Sequence, residues 1–338
     1  MATGICYLCC AERELTAEHI LPQSLGGVLK ERIYCADCNN TCGQDVDAEI
    51  ARQFGRYATL MQVARERKVN QPFEIFSDAG RLRLKVDGQS ILRSDPVVRI
   101  EKGEDGGLKE VEVIARSESE LRKIFKKLAQ KYNIEPNISA FEKIENPAPI
   151  ASHDFVLDNA LIHRAVSKIA YGFACIKLPK EVVLSAEFSA IRDFILGYSN
   201  TSLAHSNFSH GDFMVDNHRP LHKIHLSLDR KARLLVGYIA LFGTFRYTVL
   251  LADGIKSELE WPGLDYTFNP VSQQKVLVND NFAAPALTRE EVLSPRNTPD
   301  EVLSALQYGQ QVIVEHSPIL EEVTVEAVRK DRTYKSAP

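Results

Sequence analysis

Two Cys-x-x-Cys pairs, Cys6-Tyr7-Leu8-Cys9 and Cys35-Ala36-Asp37-Cys38, sit near the start of the chain with a short insert between them. A two-residue knuckle turns the backbone back on itself, so both sulfurs of a pair can face one metal. Two such pairs make a closed tetrahedral set of four thiolates, the donor set of structural zinc. A module of about 50 residues cannot bury enough apolar surface to be stable alone, so the metal is expected to contribute directly to its folding. With four protein ligands there is no open position, and this zinc is not expected to be catalytic. Six of the seven cysteines, Cys6, Cys9, Cys10, Cys35, Cys38 and Cys42, precede residue 43; only Cys175 lies apart. Such clustering suits a metal site in a reducing compartment rather than a disulfide framework. Cys10 and Cys42 are left over as buried or incidental thiols, and a ligand register using either one stays open.

The clamp encloses Thr16-Ala17-Glu18-His19-Ile20-Leu21-Pro22-Gln23-Ser24-Leu25-Gly26-Gly27, and the last cysteine is followed by Asn39-Asn40, Gly43 and Asp47. This combination resembles the HNH (ββα-metal) nuclease family, over roughly residues 4–55, and its specificity comes from the two elements occurring together in order. The resemblance implies a finger of two strands and a helix that hydrolyses phosphodiester bonds. It places the general base at His19, whose ordinary pKa near 6.5 suits that task at neutral pH. It places Glu18 and Asn39 at a catalytic Mg²⁺ or Mn²⁺, ions that take oxygen ligands and keep several waters. Cys6, Cys9, Cys35 and Cys38 are its structural zinc ligands. One departure stands out: the family's middle Asn has no counterpart in Leu29-Lys30-Glu31-Arg32-Ile33-Tyr34. Its supporting role falls to a neighbour, with Asn40, Asp45 and Asp47 the candidates. Gly26-Gly27 is expected to allow positive φ and close backbone approach.

The remainder is read from periodicity. Helical spacing of Ile50, Phe54, Tyr57, Ala58, Met61 and Ala64 predicts a helix beginning near Asp45–Asp47 and running to about Arg67. Short strands follow within 72–115, then a helix capped at Ser117 with a basic face. Residues 136–150, with Pro136, Pro147 and Pro149, read as a linker. Two helices are predicted over 155–176 and 185–196, the second stopped by Gly197. Alternation over 222–228, 234–242 and 246–251 predicts an antiparallel sheet backed by these helices, and a short helix is expected at 300–308. The expected fold is α+β: a zinc-bearing ββα-metal finger followed by a mixed α+β region with helices packed on an antiparallel sheet. The division expected is 1–68 for the nuclease module, 69–135 for a small α+β region and 136–338 for a recognition or regulatory domain.

A net charge of −4 argues against a globally basic nucleic-acid coat but leaves room for a local basic groove. No apolar run reaches the ~18–20 residues of a membrane span, and no basic-then-apolar leader is visible at the first residues. A cytoplasmic location without membrane partners is therefore expected. The function expected is a divalent-metal-dependent DNA endonuclease, with a defence effector controlled by a ligand or partner protein through the C-terminal domain as one form of it. The alternative is a non-catalytic zinc-finger nucleic-acid-binding protein. The histidines His205, His210, His218, His222 and His225 raise a second metal site as a minor reading, and Trp261 reads as an anchor or stacking residue.

Overall fold

The computed structural model describes residues 3–65, 73–77, 80–84, 91–93, 96–103, 108–115, 117–133, 151–152, 156–209, 219–255, 264–276, 287–294 and 297–317. The linker expected at 136–150, His210, His218 and Trp261 lie outside these. The protein is α+β, with helices and antiparallel sheets. Its backbone contacts divide it into two compact units, Met1–Lys68 with Val156–Pro338, and Val69–Phe155. This groups the residues differently from the three-part division expected above, because the chain returns to the first module after residue 155.

The first module opens with strands β1 (Thr3–Ile5), β2 (Glu12–His19) and β3 (Lys30–Cys35), paired antiparallel in the order β1-β2-β3. Helix α1 (Ala36–Cys42) follows directly, carrying Cys38 on its buried side. One π-helical turn, Gly43–Asp47, links α1 to helix α2 (Ala48–Leu60). Sequence periodicity thus located α2 but missed that helix starts at Ala36. It also overshot the end: Gln62 takes φ 52°, and the Arg65 guanidinium folds back to donate to the Gly55 carbonyl at 3.1 Å. Ile50, Phe54 and Ala58 form the buried stripe of α2.

The second unit contains strands β4 (Phe73–Ser77), β5 (Gly80–Leu84) and β6 (Ile91–Arg93), the hairpin β7 (Val97–Lys102) and β8 (Leu108–Ile114), helix α3 (Glu118–Tyr132) and strand β9 (Ala151–Ser152). Strand β9 pairs with β4, so the sheet order is β6-β5-β4-β9. The Ser117 hydroxyl caps α3 by accepting from the Glu120 amide, as the sequence predicted.

The first unit resumes with helices α4 (Ala160–Lys177), α5 (Lys180–Val183) and α6 (Ser189–Leu196), and strand β10 (Ala204–Ser206). Strands β11 (His222–Asp229), β12 (Leu234–Leu241), β13 (Phe245–Asp253), β14 (Leu264–Asn269) and β15 (Gln274–Lys275) complete a six-stranded antiparallel sheet in the order β10-β13-β12-β11-β14-β15. Helices α7 (Arg289–Leu293) and α8 (Pro299–His316) close the described chain, each with a threonine capping box. Helix α8 is twice the length expected: it continues through Gly309, which packs too close to Thr244 to carry a side chain, and ends at His316.

Helix α4 positions the site. Ile162, Val166, Ile169, Ala170, Phe173 and Ala174 bury it on every side, the pattern of a helix inside a core rather than on a surface. One side meets the sheet, where a Cβ on Gly237 would come within 2.9 Å of Ala170. The other meets the finger: the Tyr171 hydroxyl donates to the Tyr7 carbonyl at 2.6 Å, and Gly172 passes close to Ile20. Helix α2 packs on the β12–β13 hairpin through Phe54 and Tyr57, each 4.9 Å from the Phe245 ring. No helix among the described residues is long and apolar enough to cross a membrane.

Candidate active site and metal centre

The sulfurs of Cys6, Cys9, Cys35 and Cys38 all lie within 4.8 Å of one another, with Cys9 and Cys35 3.9 Å apart. Four thiolates at the usual zinc–sulfur distance stand about 3.8 Å apart in a tetrahedron, so these residues fit zinc. The first knuckle closes through the Cys10 amide to the Cys6 carbonyl at 2.8 Å, with Cys10 at φ 58°. The Cys35 amide donates to the Cys6 sulfur at 3.2 Å, tying the two knuckles. The Cys38 thiol lowers the Cys6 thiol, helped against burial by the backbone amides of Cys9, Cys35 and Leu8, while Cys6 and burial raise Cys38, as expected of thiols crowded together. Cys10 is exposed and Cys42 buried, and neither belongs to the cluster. Burial pushes Cys42 up to about 11, as expected of an inert core thiol.

Glu18 and His19 end strand β2, where His19 pairs with Lys30. Successive strand residues face opposite sides. Here the strand stops at His19 and the chain turns, and both side chains line one cavity of about 300 Å³ with Pro22, Gln23, Ser24, Gly43, Asp47, Ala48 and Ala51. The π turn supplies Gly43 and Asp47, a use of π geometry common at functional sites. The Pro22–Gly27 loop forms the other wall. Gly26 takes φ 87°, and a Cβ on Gly27 would lie 1.9 Å from the Leu21 carbonyl oxygen, so neither position accepts a side chain. The loop is braced from the far end of the chain. His222, fully buried on β11, donates from Nε2 to the Leu25 carbonyl at 2.9 Å, and Gln273 donates to the Gly26 carbonyl at 3.3 Å.

Asn39 lies on α1, half-buried, donating to Thr16 Oγ1 at 3.2 Å and hydrogen-bonded to the Glu18 carboxylate. It reaches the site through Glu18 and is not among the cavity walls. Asn40 and Asp45 are exposed, and of the three neighbours considered for the absent middle Asn only Asp47 reaches the cavity.

Sequence reasoning missed Lys168. This α4 lysine is buried, and its ammonium bridges Glu18 Oε1 at 2.5 Å and Asp47 Oδ2 at 2.6 Å. Burial works against its charge, but Asp47 and Glu18 outweigh that and raise its pKa. Burial pushes the Glu18 carboxyl up, with Asp47 adding to it, while Lys168 and Asn39 pull the other way. A signal was available: a lysine in the middle of a helix that is apolar all round must meet a buried counter-charge. Lys168 meets Glu18 through Oε1 and Asp47 through Oδ2, and both carboxylate residues line the cavity. One or two carboxylates beside an open cavity suffice for Mg²⁺ or Mn²⁺, which complete their shells with water and phosphate oxygen, so the donor set fits a hard cation.

A second cluster, Asp158, His163 and His205, also brings ligand-type atoms within 4.8 Å. The polar atoms of Asp158 and His163 are already engaged. His163 meets Asp158 Oδ1 at 2.7 Å through Nε2 and Ser202 Oγ at 2.8 Å through Nδ1, while the Ser206 amide and hydroxyl donate to the Asp158 carboxylate. Burial opposes ionisation of Asp158, yet His163 and Ser206 prevail and hold its carboxyl below the ordinary range. The cluster is a polar network fastening the start of α4 to β10. With the Asn159 cap, which also donates to Glu49 at 2.9 Å, it fixes where Lys168 arrives.

Strands followed by a helix around four sulfurs define a ββα-metal finger of the zinc-knuckle kind. Residues 6–55 match the family of HNH endonucleases, which act as nucleases with divalent metals. No curated protein and no solved structure matches the chain.

Proposed function

We propose that this protein is a divalent-metal-dependent endonuclease that hydrolyses DNA phosphodiester bonds at the cavity between β2, the π turn and the Pro22–Gly27 loop. The observation that carries this reading is the convergence of Glu18, His19 and Asp47 on one cavity inside the segment matching the HNH endonucleases. His19 accepts the proton of the attacking water. Glu18 would hold the divalent ion, and Asn39 orients its carboxylate. Asp47 takes the supporting position that the absent middle Asn leaves. A divalent ion bound there supplies charge stabilisation at the phosphate and the leaving oxygen. Zinc at Cys6, Cys9, Cys35 and Cys38 would hold the two knuckles and so the spacing between β2 and α1. Control through the C-terminal residues is supported by His222, Gln273 and Lys168, which reach the loop and the carboxylates directly.

The test is a plasmid-nicking assay with Mg²⁺ or Mn²⁺ on wild type and His19→Ala. Loss of a general base costs about 10²–10⁴-fold in rate, and a fall of that size is expected. Equal cleavage by both proteins would remove His19 from the chemistry. Cleavage by neither, with DNA retained in a mobility-shift assay, would favour a non-catalytic zinc-finger binding module.

A further inference from the structure

We propose that Lys168, outside the HNH-matching segment, is a positioning residue of the cleavage site: its ammonium holds the Glu18 and Asp47 carboxylates on one side of the cavity and neutralises one of their two charges. The proposal rests on the nuclease reading for what the site does, and on geometry for what the lysine does.

One nitrogen within 2.5 Å of Glu18 Oε1 and 2.6 Å of Asp47 Oδ2 confines those oxygens to about 5 Å or less of each other. Glu18 comes from the end of a strand and Asp47 from a π turn, and one lysine of α4 contacts both. The lysine and Glu18 side chains are 5% and 8% exposed, so water screens little of this arrangement, while Asp47 at 29% opens toward the cavity. Replacing a whole buried ion pair by apolar side chains is often neutral for stability, but removing one partner leaves a buried charge uncompensated, so the lysine and its carboxylates are retained together. Ala165, Val166, Ile169 and Ala170 surround Lys168 and Ser167 on this buried stretch of α4, so the ammonium is in the interior to meet the carboxylates and not to pack against apolar neighbours. The lysine is also prevented from wandering. The Asn159 cap and the Asp158–His163–Ser202 network hold the start of α4, and Tyr171, one turn on, is pinned to the zinc knuckle through the Tyr7 carbonyl. The ammonium engages Glu18 Oε1 and Asp47 Oδ2 beside the cavity, and it sets the net charge of the carboxylate pair with the lysine at −1 rather than −2. It therefore moderates how tightly the site takes a divalent ion and fixes where the carboxylate oxygens point.

The experiment compares zinc-loaded wild type, Lys168→Met, Lys168→Arg and the double variant Lys168→Met with Asp47→Asn. Mn²⁺ binding is read by electron paramagnetic resonance and single-turnover plasmid cleavage at saturating Mg²⁺; zinc content and thermal unfolding check the fold. In Lys168→Met, Mn²⁺ binding tightens roughly tenfold because one carboxylate charge loses its compensating ammonium. Its cleavage falls on the order of 100-fold because Glu18 is no longer held in place. Lys168→Arg keeps near-wild-type Mn²⁺ affinity and part of the cleavage. The double variant, which restores the net charge of −1, returns Mn²⁺ affinity to near wild type while cleavage stays low. Metal affinity and turnover moving apart is a pattern that a packing role would not give. Cleavage in Lys168→Met within about threefold of wild type would overturn the proposal, as would parallel loss of cleavage and Mn²⁺ binding, because a 100-fold positional effect is then absent or indistinct from collapse. If Lys168→Met does not fold, the charge-balanced double variant and Lys168→Arg carry the comparison. If wild type itself does not cleave, the nuclease reading fails on its own, and unchanged Mn²⁺ affinity across the variants would separately overturn the role of Lys168.

Discussion

His222 makes the stability of the nuclease loop depend on pH in a calculable way. The ring is fully buried, its Nε2–H donates to the Leu25 carbonyl, and its Nδ1 accepts from the Phe242 amide at 3.3 Å. The Phe242 amide requires an unprotonated Nδ1, and burial lowers the pKa from 6.5 to about 4, against a smaller upward pull from the Leu25 carbonyl. A histidine lowered by folding is neutral in the native chain while the unfolded chain takes up a proton below pH 6.5. Its contribution is therefore complete above pH 6.5, falls as the pH drops, and levels off below about 4. At about 1.4 kcal/mol per pH unit the loss comes to about 3 kcal/mol. The perturbation is His222→Leu, which deletes the titrating group. Urea unfolding of wild type and variant at a series of pH values, at fixed zinc, gives the difference in stability at each. Taking the difference cancels the other carboxylates and the thiol protonation that both proteins share. Wild type is expected to be the more stable at pH 7.5, by an advantage that shrinks by about 3 kcal/mol towards pH 4. A difference independent of pH would refute the reasoning, because it would mean that the imidazole is charged or solvated in the native chain. Because Leu25 belongs to the loop that walls the cavity, cleavage should weaken over the same acid range.

Other outcomes follow from the same geometry. Metal analysis should find one zinc per chain, since the polar atoms of Asp158 and His163 are spoken for, and Cys38→Ser should reduce zinc content and unfold the finger. A count of two, with the second zinc lost in His205→Ala, would contradict the network reading. Gly27→Ala should destabilise the protein by about 3 kcal/mol or more, because its Cβ would lie 1.9 Å from backbone. Gly55→Ala, with nothing within 4 Å in the interior of α2, should stabilise by about 0.5–1 kcal/mol; urea midpoints check both.

The finger was legible because its signals are local. A knuckle needs only two residues between its cysteines, and Glu18-His19 needs only to end a strand between the knuckles. Helix α4 and strands β11 to β13 were legible from periodicity, since an apolar face leaves its spacing in the chain. The start of helix at Ala36 was not, because the residues of α1 serve a metal knuckle and carry no apolar stripe to read. The grouping of residues 1–68 with the chain after 155 was equally hidden, being made by contacts such as Tyr171 to Tyr7 and His222 to Leu25.

The amino-acid order by itself determined the thiolate cluster, the presence of an imidazole beside a carboxylate, and the α+β class, all consequences of short-range spacing. Folding decided which charged groups surround that carboxylate. Lys168 meets Glu18 and Asp47 only because α4 lies between finger and sheet, and the cost of burying an ammonium is recovered only when the helix, the strand end and the π turn are all in place. No periodicity encodes a partner that distant, since the energy that selects it exists only in the packed interior.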